Sequence, residues 1–169
     1  KMYKLKIFSY LPNPRVWKAL IAGKICGVEV EVIGDKPANL GTWLWDFNPK
    51  MLNEDELNPD HKYARVGKRG FSGVLYKTDS FLKAHPFGTV PAAFNPEGNI
   101  GIFESNSILR AVARVGKEFN LYGQDPYEAS RIDSFLDANL VFAREAQVYM
   151  LDYENVSEEG YETVSYTHL

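Results

Sequence analysis

Apolar and polar positions alternate in a way that predicts a β-α-β unit at the beginning of the chain. "KLKIFSY" (4–10) alternates with a period of two, which indicates a strand. "RVWKALIAGKICG" has helical spacing, with Pro14 at a first-turn position and Gly27 at its end. "VEVEVIG" (28–34) alternates again and predicts a second strand. This order favours a right-handed crossover and a parallel pair of strands.

The next forty residues lose this periodicity. Residues 35–76 are dense in proline, asparagine, glycine and charged blocks, so we expect a long irregular connection with one short helix near 49–57. Connections of this length inside compact domains are usually functional or partly disordered. The aromatic stretch "TWLWDF" (42–47) indicates that part of the connection packs against something.

Regular patterns return after residue 77. "KTDSFLKAHPFG" predicts a short helix, and "TVPAAFN" and "IGIFE" predict a hairpin whose tip is Asn95–Asn99. "SNSILRAVARVG" predicts a helix with Ser105 as its N-cap, and a long helix follows from about 126 to 151. Pro91 at the beginning of the hairpin removes a ladder donor, which marks a turn or an edge.

The element order defines the predicted fold class. We predict an α/β, thioredoxin-like domain over 1–120, in the order β-α-β, long loop, α, β-β-α, with an insertion at about 42–75. Residues 121–169 then begin an all-α domain, of which the first helix is present. The final "VSYTHL" resembles translated sequencing-adaptor read-through, and we expect the chain to be an incomplete piece with an artefactual tail.

Composition excludes several classes of partner and site. The net charge of −3 gives no electrostatic reason to expect nucleic acid, and no apolar run is long enough for a membrane span. The single Cys26 excludes an intrachain disulfide and predicts a reducing, cytoplasmic location. An organellar location stays open because the chain does not begin with methionine. The three histidines are scattered, so we expect no metal site.

Two segments in correct order carry a resemblance to a known family. "PFGTVP" (86–91) and "ESNSI" (104–108) are similar to the paired motifs of the N-terminal domain of glutathione S-transferases. Within that family, "NPRVWKALIAGKICGVEVEVI" and "FESNSI" most resemble the gamma subunit of eukaryotic elongation factor one. The resemblance implies a thioredoxin-like fold with a proline held in cis at Pro91, so that the backbone of the preceding residue faces a ligand groove.

The resemblance also implies a glutathione site. Ser105 and the helix amides would bind the glutamyl carboxylate, and Glu104 would accept from the glutamyl ammonium. Val90, ahead of Pro91, would pair backbone to backbone with the cysteinyl residue, and Arg15 would add positive charge. The structural alternative is that Ser105 only caps its helix and Pro91 only shapes the fold.

The group that would stabilise a thiolate is less clear. The serine position of the serine-type families falls at Asn13, and Ser9 and Tyr10 lie near the tyrosine position of the tyrosine-type families. Asn13 has a second interpretation as a helix cap, which is asparagine's usual role there. Two functions therefore stay open. One is a scaffold or accessory subunit with protein partners, in a multi-subunit complex or a dimer of homologous chains, and the other is a glutathione-dependent transferase acting on small electrophiles.

Overall fold

The computed structural model describes residues 4–67, 71 and 73–151, with side chains up to residue 146. It divides into two units, Lys1–Leu121 and Tyr122–Leu169. The predicted artefactual tail "VSYTHL" lies outside the described residues. In chain order the elements are β1 (Leu5–Tyr10), α1 (Pro14–Cys26), β2 (Val30–Asp35), β3 (Trp43–Trp45), β4 (Lys50–Met51), β5 (Ala64–Gly67), β6 (Gly73–Lys77), α2 (Asp79–Ala84), β7 (Ala92–Phe94), β8 (Gly101–Ile102), α3 (Ser105–Val115) and α4 (Pro126–Leu151).

The first sheet confirms the thioredoxin-like prediction. Its strand order is β2-β1-β7-β8, with β1 and β2 parallel and the β7-β8 hairpin antiparallel to β1. The helix between the parallel strands begins at Pro14, whose missing amide hydrogen costs nothing in a first turn. It ends at Gly27, which adopts φ +63°, a conformation that residues with a Cβ rarely adopt.

Two apolar clusters cover the two faces of this sheet. The first joins the sheet to α1 and α3 through side chains such as Ile7, Ala19 and Ile108. The second, on the opposite face, contains Phe8 and Phe81 together with residues of the segment between β2 and α2. Because successive side chains of a strand point to opposite faces, Ile7 and Phe8 belong to different clusters.

The expectation of an irregular connection over 35–76 is wrong. This segment forms a second four-stranded sheet, in the order β4-β3-β6-β5, which we call the inserted sheet. The short helix expected near 49–57 is a single 3-10 turn, Glu54–Glu56. The strands have two to five residues, so none of them is long enough to show an alternating pattern.

The inserted sheet is attached to the first sheet by packing and polar contacts. Trp45 is 1% exposed, and its ring centroid lies 5.6 Å from that of Phe8 and 5.9 Å from that of Phe81. Lys6 Nζ, on β1, donates to Asn48 Oδ1 at 2.8 Å. Trp45 therefore belongs to the core of its own unit, in agreement with the expectation that part of the stretch 42–47 packs against something.

The second unit contains the predicted long helix. α4 spans Pro126–Leu151, and Asp125 Oδ1 accepts from the amides of Tyr127 and Glu128 at its beginning. Phe135 and Leu140, two large apolar side chains of this helix, are exposed. No helix in the described ranges is long and apolar enough to cross a membrane.

Candidate functional site

The segment ahead of β7 leaves backbone groups available. The Val90–Pro91 peptide is cis, with Val90 half-buried and Pro91 buried. β7 begins only at Ala92, and no backbone hydrogen bond joins Val90 to another residue in the described part of the chain. An extended peptide can pair with such a segment through main-chain hydrogen bonds, as a short added strand.

The turn from β8 into α3 has an unusual backbone. Glu104 adopts φ +65° and ψ 123°, which is rare for a residue with a side chain, and its carboxylate is exposed. Such backbone strain costs on the order of 1–3 kcal/mol and concentrates at functional sites. Glu104 also occupies the N-cap position, since its carbonyl accepts the first helical bond from the Ile108 amide at 3.0 Å.

Ser105 is therefore not the helix cap. It is the first residue of α3, and its side chain makes no hydrogen bond to any residue that the structure describes. The sequence could not distinguish the two positions, because a serine beside a helix start usually caps it and the conformation of Glu104 leaves no local signature. The cap-only interpretation of Ser105 is wrong, and its hydroxyl is not used by the helix.

A lysine that the sequence analysis missed lies beside the beginning of α3. Lys18 is half-buried on α1, and its ammonium donates to the amide oxygen of Asn106. Burial lowers the pKa of Lys18, the positive charges of Arg15 and Arg110 lower it further, and Glu104 opposes them. Several cations thus lie near a helix N-terminus, which itself attracts anions.

Asn13 and Ser9 are completely buried and bonded to each other. Asn13 Nδ2 donates to Ser9 Oγ at 2.9 Å, while Asn13 Oδ1 accepts from the Arg15 amide at 2.9 Å. The second interpretation of Asn13, as the cap of α1, is thus present in the structure. Each side chain keeps a further N–H or O–H donor, but both are 0% exposed, so a thiolate could reach them only if the surrounding residues moved. The catalytic role of Asn13 and Ser9 stays a prediction.

Tyr10 and Arg15 are more accessible. Tyr10 ends β1 with a half-buried side chain, its ring centroid 6.2 Å from that of Phe71, and Arg15 is exposed in the first turn of α1. Cys26 is buried at the other end of α1, under Gly116. Of the predicted residues, Tyr10 therefore retains a partly accessible hydroxyl.

A second lysine missed by the sequence analysis contacts the segment before Pro91. Lys77, the last residue of β6, donates from Nζ to the Gly88 carbonyl oxygen at 2.7 Å and lies 4.6 Å from the Trp45 ring centroid. Burial lowers the pKa of Lys77. Within the described ranges, no group of three or more histidine, cysteine, aspartate or glutamate side chains could hold a metal ion.

Comparisons with known proteins identify the class of the fold. No family model matches the chain. The solved theta-class glutathione S-transferase of Xanthomonas axonopodis pv. citri, with glutathione bound, superposes with a TM-score of 0.54 at 22% identity, over 94% of this chain and 59% of that one. The chain therefore has a glutathione S-transferase-like fold, as the paired motifs indicated.

Two proteins that are similar in sequence make the likeness to known proteins more specific. The chain is 29% identical over 133 residues to the probable elongation factor 1-gamma 1 of Arabidopsis thaliana, which covers 79% of this chain and 23% of that protein. It is 26% identical over 147 residues to the glutathione S-transferase-like protein FUS3 of Gibberella moniliformis, covering 86% of this chain and 49% of that protein. The resemblance to elongation factor 1-gamma is thus confirmed. The chain spans 15% to 28% of the length of the elongation factor 1-gamma proteins that it matches.

Proposed function

We propose that this chain is a glutathione S-transferase-like scaffold module of a larger complex, comparable to elongation factor 1-gamma, and that its groove binds glutathione with little catalysis. The observation that carries the proposal is the closed pair of Asn13 and Ser9, whose polar groups bond to each other in the core. A conjugating enzyme needs a group that stabilises the thiolate, and both side chains of this pair are 0% exposed and so out of reach of a bound thiol. A cytoplasmic location accompanies the proposal.

The glutathione part of the proposal rests on four residues. Ser105 has a hydroxyl not used for capping, at the beginning of α3, and Lys18 lies nearby on α1. Both favour a carboxylate such as that of the glutamyl residue. Val90 has backbone groups suited to pair with the cysteinyl residue. Glu104 is held in a strained conformation at the point where an ammonium would lie.

The scaffold part rests on an apolar stripe on the outer face of α1. Trp17, Ile21 and Ile25 recur every four residues and are 50%, 59% and 53% exposed. Residues four apart lie on one side of a helix, so the three form one continuous strip. Large apolar side chains grouped in this way are typical of protein contacts rather than of a free surface. The partner is a protein of the complex or a second, homologous chain.

Isothermal titration calorimetry with glutathione tests the groove. The unchanged chain should bind, and Ser105→Ala should weaken binding about tenfold because a hydrogen bond to a charged group is lost. Ser80→Ala is the matched control, since Ser80 lies on α2 and bonds to Asp46. Absence of heat with the unchanged chain would reject the glutathione site.

Co-purification tests the scaffold. The tagged chain should elute with a stoichiometric partner, and Ile21→Glu should release that partner. Val66→Glu, an equally apolar exposed position on the inserted sheet, should not. A monomer in native lysate, together with rapid conjugation of glutathione to 1-chloro-2,4-dinitrobenzene, would reject the proposal.

The alternative, an active transferase, is favoured by Tyr10. Its side chain is half-buried and makes no hydrogen bond to the described residues, and Arg15 is exposed in the first turn of α1. If Tyr10 stabilises the thiolate, Tyr10→Phe should lower kcat about 100-fold and leave the KM for glutathione unchanged. Equal rates for the two proteins would exclude that role.

A further inference from the structure

The inserted sheet reaches the proposed groove through one residue. β6 ends at Lys77, whose Nζ donates to the Gly88 carbonyl oxygen at 2.7 Å. Gly88 is two residues before Val90, the residue proposed to pair with the ligand. The side chain of Lys77 lies along Trp45, with Nζ 4.6 Å from the ring centroid, and Trp45 is itself fixed by donating from Nε1 to the Leu40 carbonyl at 3.0 Å.

The backbone at Gly88 fits closely under this lysine. Gly88 adopts φ +59°, and a Cβ at that position would lie 3.1 Å from Lys77 Nζ and 3.2 Å from Leu82 Cδ2. The Gly88 amide donates to the His85 carbonyl oxygen at 2.8 Å, so both the amide and the carbonyl of Gly88 are hydrogen-bonded. No backbone hydrogen bond fixes Val90 among the described residues. The conformation of 88–90 therefore depends on how Gly88 is held.

The position of Lys77 has an electrostatic cost. Lys77 is half-buried, the acceptor of its ammonium among the described residues is the neutral Gly88 carbonyl, and burial lowers its pKa. A methionine would cover Trp45 with the same chain length and no desolvation cost. The hydrogen bond to Gly88 is the contact that only a cationic donor supplies here, and it is a strong one because the donor is charged.

We propose that the inserted sheet is a positioning element of the ligand groove, and that Lys77 holds Gly88 so that the backbone of Val90 faces a bound peptide. Lys77 is a positioning residue and does not touch the ligand in this scheme. The inference rests on the proposed glutathione site, and it adds that affinity for glutathione depends on a residue of the inserted sheet.

Lys77→Met tests this inference, because it keeps the aliphatic cover on Trp45 and removes the donor. Glutathione binding should weaken about tenfold by calorimetry, and Lys77→Arg should recover most of it. Lys62→Met is the matched control. Lys62 lies over the Tyr63 ring at 4.5 Å, ahead of β5, as Lys77 lies over Trp45. Tryptophan fluorescence checks the fold, and Lys77→Leu, which also lacks a donor, replaces Lys77→Met if the latter does not fold.

Hydrogen exchange gives a readout that needs no ligand. The amide of Gly88, which is buried and donates to the His85 carbonyl oxygen, should exchange faster in Lys77→Met than in Lys62→Met, while those of β1 are unchanged. If the unchanged chain binds glutathione and Lys77→Met binds it equally well, the inference is overturned. If the unchanged chain does not bind glutathione, the proposed function fails, and equal exchange in the two variants then overturns the positioning role as well.

Discussion

Replacing His85 with phenylalanine should remove most of the pH dependence of the stability of the first unit between pH 6.5 and 4. His85 is 1% exposed, and its ring centroid lies 4.7 Å from that of Phe94 and 5.1 Å from that of Phe81. Neither ring nitrogen has a hydrogen-bond partner among the described residues. Burial lowers the pKa of His85 to about 4, although the backbone of Ala93 opposes this shift.

The sign and size of the effect follow from that pKa. The unfolded chain takes up the proton near pH 6.5, whereas the folded chain resists it down to about pH 4. Above pH 6.5, His85 therefore does not reduce the free energy of unfolding. This free energy decreases as the pH falls from 6.5 to about 4, and below that range His85 causes no further decrease. A shift of this size corresponds to at most about 3 kcal/mol of unfolding free energy, at about 1.4 kcal/mol for each pH unit.

Urea unfolding followed by tryptophan fluorescence measures this free energy for the first unit alone. All three tryptophans of the chain, Trp17, Trp43 and Trp45, lie in that unit. Between pH 7 and 4.5, the unfolding free energy of the unchanged chain should fall by about 2–3 kcal/mol. His85→Phe should not show this fall. At pH 7 the variant should be at least as stable, since two unpaired buried nitrogens are removed.

The control for His85 is the same substitution at another histidine. His61→Phe, next to the inserted sheet, should keep the full pH dependence. Parallel curves for the unchanged chain and His85→Phe from pH 7 to 4.5 would refute the reasoning, because they would show that His85 gains its proton equally in both states.

Three other substitutions test the geometry of the first unit by urea unfolding or calorimetry. Asn13→Ala should cost about 2 kcal/mol, because a helix cap is lost and Ser9 keeps a buried, unpaired hydroxyl; a loss under about 0.5 kcal/mol would contradict this. Glu104→Gly should raise the stability by about 1 kcal/mol through relief of backbone strain, while weakening glutathione binding, and a lower Tm would count against the strain. Gly34→Ala should destabilise by about 3 kcal/mol or more, since its Cβ would lie 1.7 Å from the Ser9 carbonyl oxygen; Gly41→Ala, with open space at its Cβ, should be neutral.

The framework of the first sheet was predictable because its signals are local. β1 and β2 have six residues each, enough to show alternation, and the helix between them is bounded by Pro14 and Gly27. The inserted sheet has no comparable signal. β3 pairs in parallel with β6, with Leu44 opposite Tyr76. These residues are far apart in the sequence, and such a pairing is determined by side-chain packing rather than by local strand propensity.

The same distinction applies to the site. Val90, Pro91, Glu104 and Ser105 were proposed as site residues from two short motifs, each of which is continuous in the sequence, and their role stays a prediction. Lys18 was not found, since a lysine on a helix is normally solvated, and its acceptor Asn106 is 88 positions away. The sequence also predicted Ser105 as the N-cap of α3. No local pattern in the sequence indicates that the preceding residue, Glu104, adopts a positive φ.

The inserted sheet is a structural part of the domain, and this restricts where a partner can bind. It contributes Trp45 and Leu75 to the cluster that covers one face of the first sheet, so removing it would expose Phe8 and Phe81. Truncating Trp45 to alanine would cost about 3–5 kcal/mol, as for other buried aromatic residues, out of the roughly 5–15 kcal/mol of an ordinary domain. Loss of a partner after such a change would therefore not separate a lost contact from lost stability. For the proposed partner, the exposed strip of α1 (Trp17, Ile21 and Ile25) offers positions where a substitution leaves the buried core of the first unit unchanged.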